Sequence, residues 1–193
     1  MIYFLTPCSR PENIETISQS LCETMANFDH EWIVIYDGPE FAIPGGSSHR
    51  KIQPECHYGK PLLNVALDVV KERGTPGMVG FLDDDTICAA NLESAYRYFF
   101  AEFFPERKAF TVRQVDKAGK IRIDVRQNPR RIDQGCYFIH TDLIGSHRFF
   151  AEEGADAKRF YEADGEFYRE IRSKTEDQWI DLPIVGSIYN ALR

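Results

Sequence analysis

A run of five apolar residues, Met78-Val79-Gly80-Phe81-Leu82, ends abruptly on three carboxylates, Asp83-Asp84-Asp85. The run is short and bounded by turn signals, which fits a buried strand. Adjacent carboxylates raise one another's pKa and are costly to gather unless something cationic offsets them. A solvated turn with helix-capping aspartates could carry such a triplet in isolation. A buried strand that delivers it to its C-terminal end argues instead for a cationic ligand. Oxygen-only side chains suit Mg²⁺ or Mn²⁺, which take one or two carboxylates and complete their shell with phosphate and water.

The rest of the N-terminal half repeats the same alternation of elements. Residues 2–5 form an apolar run closed by Thr6-Pro7, and residues 32–36 form a second, halted by Asp37-Gly38-Pro39. Between them, Ile14, Ile17, Leu21 and Met25 recur at helical spacing, with Glu12 or Asn13 opening the helix. Residues 62–73 read as a helix with Leu63, Ala66, Leu67 and Val70 on one face, ended by Gly74. Asn91 can cap another that runs to about residue 104, with Leu92, Ala95, Tyr96, Phe99 and Phe103 inward. Residues 40–59, rich in Gly, Ser and Pro, read mostly as loop, and long loops in compact domains are usually functional or mobile. Alternating strands and helices predict an α/β fold with a mainly parallel central sheet and helices on both faces. Ligands of such sheets bind beyond the carboxyl ends of the strands, where Asp37 and residues 83–85 both fall.

The C-terminal half reads differently. Ile121, Ile123 and Val125 alternate with Arg122, Asp124 and Arg126 after a turn at 116–120, which predicts a β-hairpin with one solvated face. Residues 136–139 read as a buried strand, 160–172 as a helix, and 179–185 as a strand that closes the sheet. No Gly-, Ser- or Pro-rich linker divides the chain, so residues 1–193 are expected to form one domain of two halves, 1–104 and 105–193. The net charge of −7 removes the usual footprint of nucleic-acid binding. It also means that an anionic ligand needs a metal or a local basic patch. Five scattered cysteines without C-x-x-C spacing point to reduced thiols rather than zinc. With no signal-like segment and no apolar run near the length of a membrane span, a cytoplasmic protein without transmembrane segment is expected.

At this point a resemblance becomes specific. Phe81-Leu82-Asp83-Asp84-Asp85-Thr86-Ile87 resembles the strand-terminal D-x-D signature of glycosyltransferases of the Rossmann-like GT-A fold. Tyr3-Phe4-Leu5-Thr6-Pro7-Cys8-Ser9-Arg10-Pro11 is similar to their first strand and nucleotide loop, and Trp32-Ile33-Val34-Ile35-Tyr36-Asp37-Gly38 to their second strand. Asn64-Val65-Ala66-Leu67 resembles the R-N-x-A-L segment of the helix before the D-x-D strand. The order of these segments is like that of family-2 enzymes, with local likeness to animal glucuronyltransferases.

The resemblance implies a nucleotide-sugar donor, a UDP-sugar, and a saccharide or other hydroxyl acceptor. It implies that Thr6, Arg10 and Asp37 line the nucleoside pocket, with Asn64 in the donor-side helix, and that Asp83 and Asp84 contact ribose or donor sugar. Asp85 would be the principal ligand of Mn²⁺ or Mg²⁺, with Asp83 beside it. Gln134 and Gly135, in Asp133-Gln134-Gly135-Cys136, would lie on the acceptor side. Inverting members carry a carboxylate base on a later helix, which makes Asp164 the first candidate and Glu166 the second. The chain departs from the pattern at Leu63, where many relatives have arginine, and in having no histidine after His147 to serve as a further metal ligand.

Nine Lys or Arg against three acids between residues 106 and 131 form a basic belt, read first as a solvated hairpin face and second as a grip for an anionic acceptor. Two other functions compete. A phosphatase of the haloacid dehalogenase type also uses D-x-D, but on its first strand, and here two strands precede it. A nucleotide-sugar-binding module that has lost turnover would keep the same fold.

Overall fold

The computed structural model describes residues 1–36, 43, 48–51, 59–128, 132–150 and 157–193, with 48–51 and 157–161 described by backbone alone. Asp37 and most of residues 40–58 lie outside this set. Among the described residues nine strands form one sheet: β1 (Ile2–Cys8), β2 (His30–Tyr36), β3 (Ser48–Lys51), β4 (Met78–Phe81), β5 (Ile87–Cys88), β6 (Ala109–Asp116), β7 (Ile121–Ile123), β8 (Tyr137–His140) and β9 (Trp179–Tyr189). Their order is β3-β2-β1-β4-β8-β6-β9-β5, with β7 pairing β6 off the main path. The helices are α1 (Ile14–Thr24), α2 (Lys60–Arg73), α3 (Leu92–Glu102), the single turn α4 (Thr141–Ile144) and α5 (Ala157–Lys174).

Strands β1 to β4 pair in parallel, as the strand-helix alternation dictates. Antiparallel pairing enters with β8, which lies between β4 and β6. The predicted hairpin is β6–β7, with Gly119 at φ 79° in its turn. Strand β3 falls inside the stretch expected to be mostly loop and extends the parallel block by one strand. The local sequence, Ser48-His49-Arg50-Lys51, has none of the apolar alternation that marks a strand.

Period-two alternation divides the core between the two faces of the sheet. Tyr3, Leu5, Ile33, Ile35, Val79 and Phe81 pack with Leu63, Ala66 and Leu67 of α2 and with Phe167, Tyr168 and Ile171 of α5. Ile2, Phe4, Trp32, Val34 and Met78 pack with Ile17 and Leu21 of α1 and with Ala95, Tyr96 and Phe99 of α3. Gly80 has a steric reason to be glycine: a Cβ there would come within 2.4 Å of the Phe138 ring on the neighbouring strand. Both faces are covered, so the exposed working edge is the end of the sheet where β1 and β4 run out. No helix among the described residues is long and apolar enough to cross a membrane.

Candidate active site

Leaving β4, the chain places its three aspartates in different surroundings. Asp84 turns inward and is 5% exposed. Its Oδ2 accepts from the Ser9 amide at 2.6 Å, the Ser9 hydroxyl at 2.8 Å and the Arg10 amide at 2.9 Å, and its Oδ1 pairs with the Arg10 guanidinium. Asn13 Nδ2 donates to the Asp84 carbonyl at 2.8 Å. This carboxylate therefore organises the loop between β1 and α1. The resemblance implied a contact with ribose or donor sugar, whereas these bonds of Asp84 all run to the segment between β1 and α1.

Asp85 is 2% exposed, yet its Oδ2 is approached by two cations, Arg10 Nη1 at 3.2 Å and Arg193 Nε at 2.5 Å. Arg193 reaches it from the segment that follows β9, and the Leu192 amide meets the Asp85 carbonyl at 3.3 Å. The sequence offers no histidine after His147, and here an arginine stands beside the carboxylate instead. Among the described residues, no three His, Cys, Asp or Glu side chains gather closely enough to hold a metal by themselves. Asp85 could supply one ligand to a hard divalent cation, with diphosphate oxygens and water as the rest, and Arg10 and Arg193 would have to give up its Oδ2 to that ion.

Asp83 faces a third environment. Its Oδ1 accepts from Gln134 Nε2, and the Gln134 Oε1 accepts from the Lys60 ammonium at 2.8 Å. The same ammonium pairs with Asp164 on α5. A continuous polar chain thus runs Asp83–Gln134–Lys60–Asp164 across the end of the sheet, joining residues 104 positions apart. Burial raises the Asp83 carboxyl well above its ordinary range, the Asp133 charge adds to this, and Lys60 opposes it. Burial also raises Asp164, against the pull of Lys60. Lys60 itself, 4% exposed, is pulled down by burial and raised more strongly by Asp164 and Asp83, so it stays cationic.

Asp133 anchors the turn that leads into β8. It accepts from the Gly135 amide at 3.1 Å, from Gln114 at 3.3 Å and from Arg122 at 2.9 Å. The Arg122 guanidinium also lies 3.7 Å from the Tyr189 ring centroid. Gly135 is packed so closely that a Cβ would stand 3.1 Å from the Gln114 amide nitrogen.

Several residues named from the sequence sit away from any open surface. Thr6 is fully buried and its hydroxyl accepts from the Trp32 indole at 2.9 Å, so in this geometry it supports β2 rather than lining a pocket. Asn64 exchanges two bonds with the Phe149 backbone, at 2.9 and 2.8 Å, which makes it a staple between α2 and the segment after α4. Gln134 is fully buried and spends both ends of its amide on Lys60 and Asp83. Arg10 remains a third exposed beside the aspartates, with its side chain 34% accessible. On α5, Asp164 joins the core-facing stripe of Ala163, Phe167 and Ile171, whereas Glu166, about 200° further round the helix, stands to its side.

Three residues of this site were missed in the sequence: Lys60, Asp133 and Arg193. Lys60 carried a readable signal. It is the first residue of α2, where the helix dipole disfavours a cation, so a strong anionic partner was to be expected. Asp133 and Arg193 carry no comparable signal, because only the folded sheet brings them to residues 83–85.

No family model matches the sequence, and no curated protein is significantly similar to it. Among solved structures, residues 1–349 of S. aureus TarS in complex with UDP-GlcNAc superimpose with a TM-score of 0.66 at 13% identity, over 97% of this chain and 57% of that one. A second crystal structure of TarS residues 1–349 gives a TM-score of 0.63 at 15% identity, over 97% and 59%. Glucosyl-3-phosphoglycerate synthase from Mycobacterium tuberculosis, in complex with phosphoglyceric acid, gives 0.60 at 14% identity, over 95% and 70%. The chain thus spans less than two thirds of the TarS segments it is similar to. The likeness extends over nearly all of this chain, and the fold it carries is the Rossmann-like glycosyltransferase fold.

Proposed function

We propose that the chain is a metal-dependent, inverting glycosyltransferase that moves a hexosyl or glucuronosyl group from a UDP-sugar to a hydroxyl of a saccharide or other acceptor. The observation that carries this reading is the chain Asp83–Gln134–Lys60–Asp164, which sets a carboxylate on α5 opposite the aspartates at the end of β4. The fold, shared with a structure solved around UDP-GlcNAc, supports the choice of donor class. Residues 1–104 would hold the donor, with Arg10 and Asp37 toward the nucleotide and Asp83 toward the sugar. Residues 105–193 would face the acceptor.

In this mechanism the acceptor oxygen attacks the anomeric carbon while the bond from that carbon to the diphosphate breaks. The acceptor proton passes to Asp164, and UDP departs with the bonding electrons. A base must lie within hydrogen-bond reach of the hydroxyl, and Asp164, which Lys60 and Gln134 tie to Asp83, faces the aspartates at the end of β4, whereas Glu166 stands to the side. Asp85, with Asp83 beside it, would hold the Mn²⁺ or Mg²⁺, whose charge offsets that growing on the leaving diphosphate. Arg10 would add a fixed positive charge on the same side.

The test is thermal and catalytic. UDP at about one hundred times its Kd should stabilise the protein by ~2.7 kcal/mol, roughly a 5–10 °C rise in Tm for a chain of this length. The rise should need Mn²⁺, shrink sharply with EDTA, and lose its metal-dependent part in Asp85→Ala. A shift unchanged in that variant would move the metal away from Asp85. Release of UDP from UDP-GlcNAc or another UDP-sugar, measured alongside, separates turnover from mere donor binding. Binding without release from any donor would leave a nucleotide-sugar-binding module.

A further inference from the structure

Lys60 is more deeply buried than a lysine at the first turn of a helix normally is, and its surroundings are built for it. Its side chain is 5% exposed and its ammonium meets Asp164 and Gln134. The Phe149 ring lies beneath it, 5.7 Å from the nitrogen to the centroid. Phe149 is held in place from two sides. Asn64, one turn further along α2 from Lys60, pins its backbone. Phe167, three residues from Asp164 on α5, stacks on its ring at 4.1 Å. Helices α2 and α5 therefore meet around one buried cation.

The charges facing Asp164 make that cation indispensable. From the segment after β4 comes Asp83, from the turn before β8 comes Asp133, and from β7 comes Arg122. Tyr137 and Cys136 of the same region are held neutral, since burial pushes both well above their ordinary range. Three carboxylates are thus set against Lys60 and Arg122, and Arg122 is already bound to Asp133. Among the described residues, Lys60 is the cation that contacts Asp164. A buried carboxylate whose partner is removed is strongly destabilised and takes up a proton.

We propose that Lys60 is a positioning residue for Asp164: its buried ammonium fixes where that carboxylate points and, by way of Gln134, ties it to Asp83. The inference rests on the reading of Asp164 as the base.

A double-mutant cycle tests this, with UDP-GlcNAc and Mn²⁺ as the probe and water as the acceptor, read as UDP release. Lys60→Met should lower kcat by about 10²-fold, within the range of a disabled general base, and change the donor KM by less than about threefold. Its acid limb should move to higher pH, because Asp164 has lost the charge that favours ionisation. Lys60→Arg should keep the limb near its original place. Lys60→Met with Asp164→Asn should be no slower than Asp164→Asn alone.

The thermal side of the cycle needs no turnover. Lys60→Met should lower Tm, and adding Asp164→Asn should recover most of the loss by removing the unpaired carboxylate. Additive losses in rate or in Tm, or an acid limb that does not move, overturn the inference. A Lys60→Met variant as fast as the parent, beside a slow Asp164→Asn, overturns the role of Lys60 and leaves the base assignment standing. A fast Asp164→Asn removes both.

Discussion

Asp164→Asn is expected to lower kcat by ~10²–10⁴-fold, the usual contribution of a positioned general base, while donor affinity stays within a few-fold of its starting value. The side chain lies on α5, across the Lys60 bridge from Asp83, and among the described residues no bond joins it to the loop that follows β1. A loss confined to kcat is the mark of an interaction that matters in the transition state rather than in donor binding. The pH profile supplies a second sign. Burial raises the Asp164 carboxyl, Lys60 opposes the rise, and Asp133 adds to it, leaving the group above its ordinary range. A base works only when ionised, so the rate should fall as pH drops through that raised value, and Asp164→Asn should erase the limb. Glu166→Gln should cost far less, because Glu166 stands to the side of the stripe that faces the site. A reversal of the two mutants would make Glu166 the base.

The elements with strong local patterning were legible in the sequence, and the contacts between distant segments were not. Residues 2–5 and 32–36 announce β1 and β2 because both faces of these strands are buried, and a buried parallel strand reads as a continuous apolar run. The strands proved longer than their apolar cores, since Thr6, Pro7 and Cys8 still pair with Val34, Ile35 and Tyr36. Helix α2 begins at Lys60, two residues before the apolar stripe, because Pro61 fits the first turn of a helix and Gly59, at φ 72°, supplies the left-handed entry. Strand β5, two residues long, pairs with β9 and left no periodic trace at all.

The candidate site divides along the same line. Residues 83–85 stood out because an apolar strand seldom ends on three carboxylates. What each of them does depends on partners 51 to 108 positions away in the chain, which no local pattern encodes. Hence Asp83, Asp84 and Asp85, alike in the sequence, separate in the structure into a link toward Asp164, a clamp on the loop after β1, and a carboxylate shared by two arginines.

That separation gives the second large effect, and it falls on stability before it reaches chemistry. Asp84→Ala should lower Tm far more than Asp85→Ala. The Asp84 carboxylate serves the Ser9 amide, the Ser9 hydroxyl, the Arg10 amide and the Arg10 guanidinium, and it is nearly sealed from solvent. Arg10, 34% exposed, can be rewetted, but the Ser9 and Arg10 amides and the Ser9 hydroxyl lose their acceptor, each at a cost of about 1–3 kcal/mol if left unsatisfied. At roughly 2–4 °C per kcal/mol for a chain of this size, the fall in Tm should be on the order of 10 °C. Asp84→Asn, which keeps the shape and one acceptor oxygen, should fall between the parent and Asp84→Ala. Asp85→Ala leaves Arg10 its bond to Asp84, and it frees Arg193, whose side chain is already 51% exposed. Its thermal cost should therefore be small beside its loss of metal response. Thermal melts of the three variants with and without UDP and Mn²⁺ separate the two roles. An Asp84→Ala protein that melts with the parent but no longer binds UDP would return Asp84 to the donor contacts that the D-x-D resemblance implies. One that melts early confirms the carboxylate as the clamp that shapes the loop, with donor binding lost only because Ser9 and Arg10 are no longer held.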